Sequence, residues 1–136
     1  MKENQDAVFE AIWLEAHEAG RQAGNAHTPT PMVVGRAVDL FSDKIVPGTR
    51  EVVDEGMCGF AWINVRPATS RFAKWWKKRE EQRTGRKVER AYEGGYTVYW
   101  VGEYNQSYER KEKFAEAFAN VLQKYDIKAH AFSRLD

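Results

Sequence analysis

The chain has 136 residues, a net charge of +1, 30% charged and 13% aromatic residues, and one cysteine, Cys58. That length suits one domain with a core that needs no metal or cross-link, the aromatic share weighs against disorder, and a lone cysteine excludes an internal disulfide. No apolar run approaches the ~20 residues of a membrane span, and the polar start Met1-Lys2-Glu3-Asn4-Gln5-Asp6 lacks the order of a signal peptide, so a cytoplasmic protein without a membrane partner is expected.

Residues 5–23 have helical spacing, with Phe9, Ile12, Trp13, Ala16 and Ala23 on one face and Gly24-Asn25 as the stop. Thr28-Pro29-Thr30-Pro31 then enforces extended chain. Residues 1–27 therefore form a helix and linker ahead of a sheet-and-helix core over 28–136. Met32 to Leu40 suits a short strand. Lys44-Ile45-Val46 and Glu51-Val52-Val53 flank the turn pair Pro47-Gly48 and suit either a hairpin or an irregular loop.

Gly59 to Val65 is a strand whose two faces, Phe60-Trp62-Asn64 and Ala61-Ile63-Val65, are both largely apolar, which predicts a central strand covered on two sides. Thr69 or Ser70 caps a helix reaching about Arg83, with Phe72, Trp75, Trp76 and the Arg79 stem inward and Thr84-Gly85 as its end. Tyr96 to Val101 is a second strand. Asn105-Gln106-Ser107 leads into a helix with Phe114, Ala115, Phe118, Val121, Leu122 and Tyr125 on one face, and Ile127 to Phe132 alternates as a closing strand. From residue 59 the order is β-α-β-α-β. The expected fold is α+β: three helices on a small mixed sheet of about four strands, with an inserted strand near 86–92 as one route to that mixture.

The charge is unevenly spread. Residues 66–90 hold ten bases and three acids, a local +7, whereas residues 1–65 hold ten acids and five bases. A concentrated field attracts anions. Arg71, Lys74, Lys77 and Lys78 form a basic helix face that suits a phosphate backbone, with Trp75 beside it as a stacking surface for an unpaired base. The plain alternative is a solvated face over a core tryptophan. A second candidate is the strand-to-helix junction at Asn105, Gln106 and Ser107, where free N–H groups could hold a phosphate and Arg110 and Lys111 add charge. The plain alternative there is an ordinary serine cap. Arg134 near the closing strand either pairs with an acid or joins the Arg110 pocket.

Catalytic signals are thin. Cys58 needs a histidine beside it to act as a nucleophile. His17, His27 and His130 fall in no motif, and no cofactor fingerprint, P-loop or metal-ligand spacing is present. Neither a cofactor nor a metal is expected.

Cys58-Gly-Phe-Ala-Trp-Ile-Asn-Val, Ser70-Arg-Phe-Ala-Lys-Trp, Tyr104-Asn-Gln-Ser-Tyr-Glu-Arg-Lys and the ending Ser133-Arg-Leu-Asp occur together. In these segments, which span about residues 28–136, the chain resembles a group of small, uncharacterised accessory proteins of tailed bacteriophages. The resemblance implies a protein acting inside a bacterial host and implies no catalytic residues. The stretch from Glu81 to Arg90 is longer and more basic than that pattern.

Three functions follow as expectations. The first is non-catalytic binding of a nucleic acid or nucleotide. The second is an interaction factor that inhibits a host enzyme or defence system, a charge separation that also suits self-association into a homo-oligomer. The third is a small enzyme acting on a phosphorylated substrate held at Ser107 and Arg110.

Overall fold

A computed structural model describes residues 2–35, 46–105 and 107–136. Helix α1 spans Lys2–Ala26, longer at both ends than its apolar spacing predicts. Gly24 does not stop it, because the glycine is a packing position. A Cβ built on Gly20 would lie 2.9 Å from the Phe114 ring, and one on Gly24 would lie 2.5 Å from the Tyr104 hydroxyl. Ala16, Gly20 and Gly24 recur every four residues, so this small-residue face lets α1 lie close to the last helix.

Strands β1 (Met32–Val34) and β2 (Glu51–Val53) form a separate antiparallel ladder, with Met32 opposite Val53. Pro47-Gly48 does turn the chain, since the Thr49 amide donates to the Val46 carbonyl at 3.1 Å. The strand that pairs with Glu51–Val53 is Met32–Val34, however, and the expected continuation toward Leu40 and the Lys44-Ile45 arm lie outside the described residues.

Strand β3 (Gly59–Val65) has its predicted bounds, and it is central in the order β4-β3-β5. Helix α2 (Arg71–Thr84) follows, capped by the Ser70 side chain on the Ala73 amide and closed by Gly85 in the left-handed region. Strand β4 (Tyr96–Trp100), helix α3 (Tyr108–Lys124) and strand β5 (Ala129–Leu135) complete the predicted order.

The α+β class and the β-α-β-α-β order hold. The three-stranded sheet is antiparallel throughout rather than mixed, and no strand forms at 86–92. Register gives the reason. Tyr96 and Ala129 both pair with Val65, so β4 and β5 both start where β3 ends. The segment holding α2 is then a long return connection. Helix α3 carries the chain from one flank of β3 to the other.

The core lies between one face of this sheet and the helices. Ala61, Ile63 and Val65 are fully buried, facing Phe114, Ala115, Phe118 and Leu122 of α3 with Ile12, Trp13 and Ala16 of α1. Tyr99 stacks on both Phe114 and Phe118 at 5.5 Å, and its hydroxyl donates to Glu103 at 2.8 Å. Burial, then that hydrogen bond, pushes the Tyr99 phenol up. Tyr125 belongs to the surface instead. The helix rotates it out, and its hydroxyl donates to Glu15.

Candidate functional site

The other face of β3 does not lie under a second layer, which corrects the expected two-sided cover. Phe60, Trp62 and Asn64 point away from the helices, as do Trp100 of β4 and His130, Phe132 and Arg134 of β5 by register. Trp100, Trp62 and Phe132 stand in one cross-strand row. Trp62 stacks on Trp100 at 4.8 Å and on Phe132 at 5.9 Å. Phe60 meets Trp100 at 6.3 Å. None of these four rings contacts a core ring among the described residues, and Trp100 is 51% exposed.

Cations border the row. The Arg134 guanidinium lies 5.2 Å from the Phe60 ring and the Arg66 guanidinium 5.9 Å from Phe132. Lys111, almost fully buried, donates to the Gly59 carbonyl at 3.3 Å and lies 5.7 Å from Phe60. Rings on an open antiparallel sheet with cations at the margin can stack planar, unpaired bases and attract their phosphates.

A turn over residues 91–95 straps part of this face. Three successive outward positions of β3 and its extension hold it. Trp62 Nε1 donates to Glu93 Oε1 at 2.9 Å, Asn64 Nδ2 to the Gly94 carbonyl at 2.7 Å, and Arg66 Nη1 to the Glu93 carbonyl at 2.7 Å. Gly95, at φ 62°, is required here, because a Cβ would fall 2.1 Å from the Val65 carbonyl. Asn64 Oδ1 is buried without a hydrogen-bond partner, and Tyr92 stands fully exposed in the turn.

The basic helix face is only partly as expected. Arg71, Lys74 and Lys78 are exposed and have no acidic partner among the described residues, but Lys77 pairs with Glu81 at 3.0 Å. Trp75 offers no stacking surface. Its ring packs against Phe9 at 5.7 Å and Phe72 at 5.2 Å, with the Arg79 guanidinium over it at 5.6 Å. Arg79 is also held in a two-pronged ion pair with Glu10.

The start of α3 is engaged from within. Ser107 is the N-cap by position, yet its hydroxyl donates to the Glu55 carbonyl instead of accepting from the helix, and the Tyr108 amide donates to the Met57 carbonyl. Arg110 donates to Glu55 at 2.9 Å and to the carbonyls of Gly24 and Asn25. Asn105, Ser107 and Arg110 line a hollow of about 690 Å³ with Glu55 and Cys58. Gln106 lies outside the described residues. Cys58 is exposed rather than core, and no hydrogen bond joins it to a histidine among the described residues.

In the first turn of α3, Glu109 accepts from His27 Nε2 at 3.0 Å and the Thr30 amide at 2.9 Å. The His27 contact, then the Thr30 amide, hold its carboxyl below the ordinary range. A depressed carboxyl contributes stability above its unfolded value, and that contribution fades as pH falls through the folded one. Glu109→Gln should therefore flatten the acid limb of a stability-against-pH curve, measured by urea unfolding from pH 6 down to 3.

The two predicted basic regions do not converge. Arg79 of α2 binds α1 at Glu10, and Arg110 of α3 binds it at Gly24, about 21 Å further along the axis. Of the expected residues, Arg134 and Lys111 meet at Phe60, whereas Arg110 turns toward Glu55. Sequence reasoning did not single out Trp62, Trp100, Phe132 and Arg66, which the structure brings together. Their signal is large rings at period-two positions of strands that also carry a complete apolar inner face. Among the described residues, no helix is long and apolar enough to cross a membrane. Comparison with protein-family models, curated proteins and solved structures gave no match.

Proposed function

We propose that the chain is a non-catalytic binder of single-stranded nucleic acid, with bases stacked on the open sheet face and phosphates drawn to its bordering cations. The row Trp100-Trp62-Phe132, stacked at 4.8 and 5.9 Å on the side away from the helices, carries this reading. Trp100, exposed to water at one end of the row, forfeits part of the gain of burial, and a ligand with flat apolar faces restores it. Arg66 and Arg134 supply the charge for a polyanion, and the surrounding positive field of residues 66–90 speeds its approach. In the setting implied by the resemblance to phage accessory proteins, the ligand is DNA or RNA exposed in a bacterial host.

The test is a fluorescence anisotropy titration with single-stranded and duplex oligonucleotides of DNA and RNA. Single strands are expected to bind more tightly than the duplex, whose bases are already stacked. With three phosphates neutralised, affinity should fall about 20-fold between 50 and 200 mM salt. Absence of binding, or equal affinity for the duplex, overturns the proposal. A host-protein partner is the second reading, because tryptophan, tyrosine and arginine also anchor protein interfaces and Tyr92 stands free beside the row. A polypeptide retained from host lysate after nuclease treatment, by a protein that binds no oligonucleotide, selects it.

A further inference from the structure

Beside the strap, where β3 ends, lies a cleft of about 610 Å³. Arg66, Arg90, Lys128 and His130 line it, together with Thr69 and Tyr92. No carboxylate lines it among the described residues. Arg66, Arg90 and Lys128 likewise have no carboxylate partner there. Arg66 is held in place by the Glu93 carbonyl, so its guanidinium is positioned while its charge stays uncompensated.

The cleft continues the aromatic row along β5. His130 and Phe132 point to the same face, about 7 Å apart. The Arg66 guanidinium reaches from the cleft to the Phe132 ring. Along β3 the route is closed, because Gly94 sits on Asn64 and Glu93 on Trp62. A strand whose bases stack on the outer rings Trp100 and Phe132 thus finds, past Phe132 at the β5 end of the row, a cationic hollow beside its last base.

Resting on the single-strand reading, we infer that this cleft takes the terminal phosphate of the strand, so that the protein binds phosphorylated strand ends in preference to strand interiors. A phosphate monoester carries close to two negative charges near neutral pH against one for an internal diester, which matches a hollow with three uncompensated cations. The monoester comes from either a 5′ or a 3′ end, and the two share this chemistry.

The experiment uses the full chain and one internally labelled single-stranded DNA in three forms: 5′-phosphorylated, 3′-phosphorylated, and hydroxyl at both ends. One phosphorylated form is expected to bind about 10-fold more tightly than the hydroxyl form, an electrostatic gain of the size charge-assisted hydrogen bonds provide. Which form gains reports the direction in which the strand lies. Arg90→Ala combined with Lys128→Ala, both at exposed positions, should reduce that ratio to about one. Equal binding of all three forms overturns the terminal-phosphate inference and leaves the single-strand reading standing. A ratio that survives the double substitution overturns the assignment to this cleft. No binding of any form overturns both readings.

Discussion

Replacing Trp100 and Phe132 together with alanine is expected to weaken binding of a single-stranded oligonucleotide about 100-fold, since each base–ring stack contributes ~1–3 kcal/mol. Both rings belong to the outward set, and Trp100 is half exposed in the free protein, so their loss costs the fold little. The melting temperature should stay within a few degrees of the parent while affinity collapses. Trp62 is the less clean target, because its indole N–H also holds Glu93 and its removal loosens the strap. Anisotropy titrations of the two single variants and the double variant measure the effect. If the double variant binds within threefold of the parent, the row is not the binding surface.

The second large effect concerns stability. Phe114→Ala is expected to cost ~3–5 kcal/mol by urea unfolding, the range for emptying a buried aromatic site. Phe114 is fully buried and touches Tyr99, His17, Tyr104 and Phe118 with ring centroids 5.5 to 6.4 Å away. It also presses on the backbone of α1 at Gly20. Gly20→Ala in the parent should cost ~1–3 kcal/mol by overpacking. In the Phe114→Ala background the added methyl enters the emptied space, so the cost should shrink or reverse. A coupling of ~1 kcal/mol or more between the two positions is the expected result, and strict additivity would show that they do not meet.

Much of this fold can be read from the residues. Gly59 to Val65 announces a central strand by carrying apolar groups on both faces. Ser70, Thr84 and Gly85 bracket a helix, and Phe114, Phe118 and Leu122 define its successor's buried side. The sheet's sense was less legible, since a β-α-β order suits parallel and antiparallel returns equally and only long-range pairing decides. The outward face of the sheet was less legible for a physical reason. Rings count as core in a periodicity argument, so the outward Phe60 and Trp62 of β3 looked like a second buried face. Formal charge, in contrast, does not reveal its own neutralisation. Arg79, Lys77 and Arg110 contribute to the sequence's basic count, yet each lies against a carboxylate in the fold. The cations that border the row without a carboxylate partner among the described residues, Arg66 and Arg134, lie far apart in the sequence and were not read as partners.

The register of β5 on β3 joins residues between 64 and 76 positions apart, and one of the three rings in the row, with one of its two arginines, arrives on that last strand. The loop that brings Trp100 to Trp62 is therefore shorter than the one that brings Phe132 there. Closing so long a loop is slow relative to local helix formation. Until that loop closes, one edge of β3 stays unpaired and the row of rings lacks its member on the β5 side.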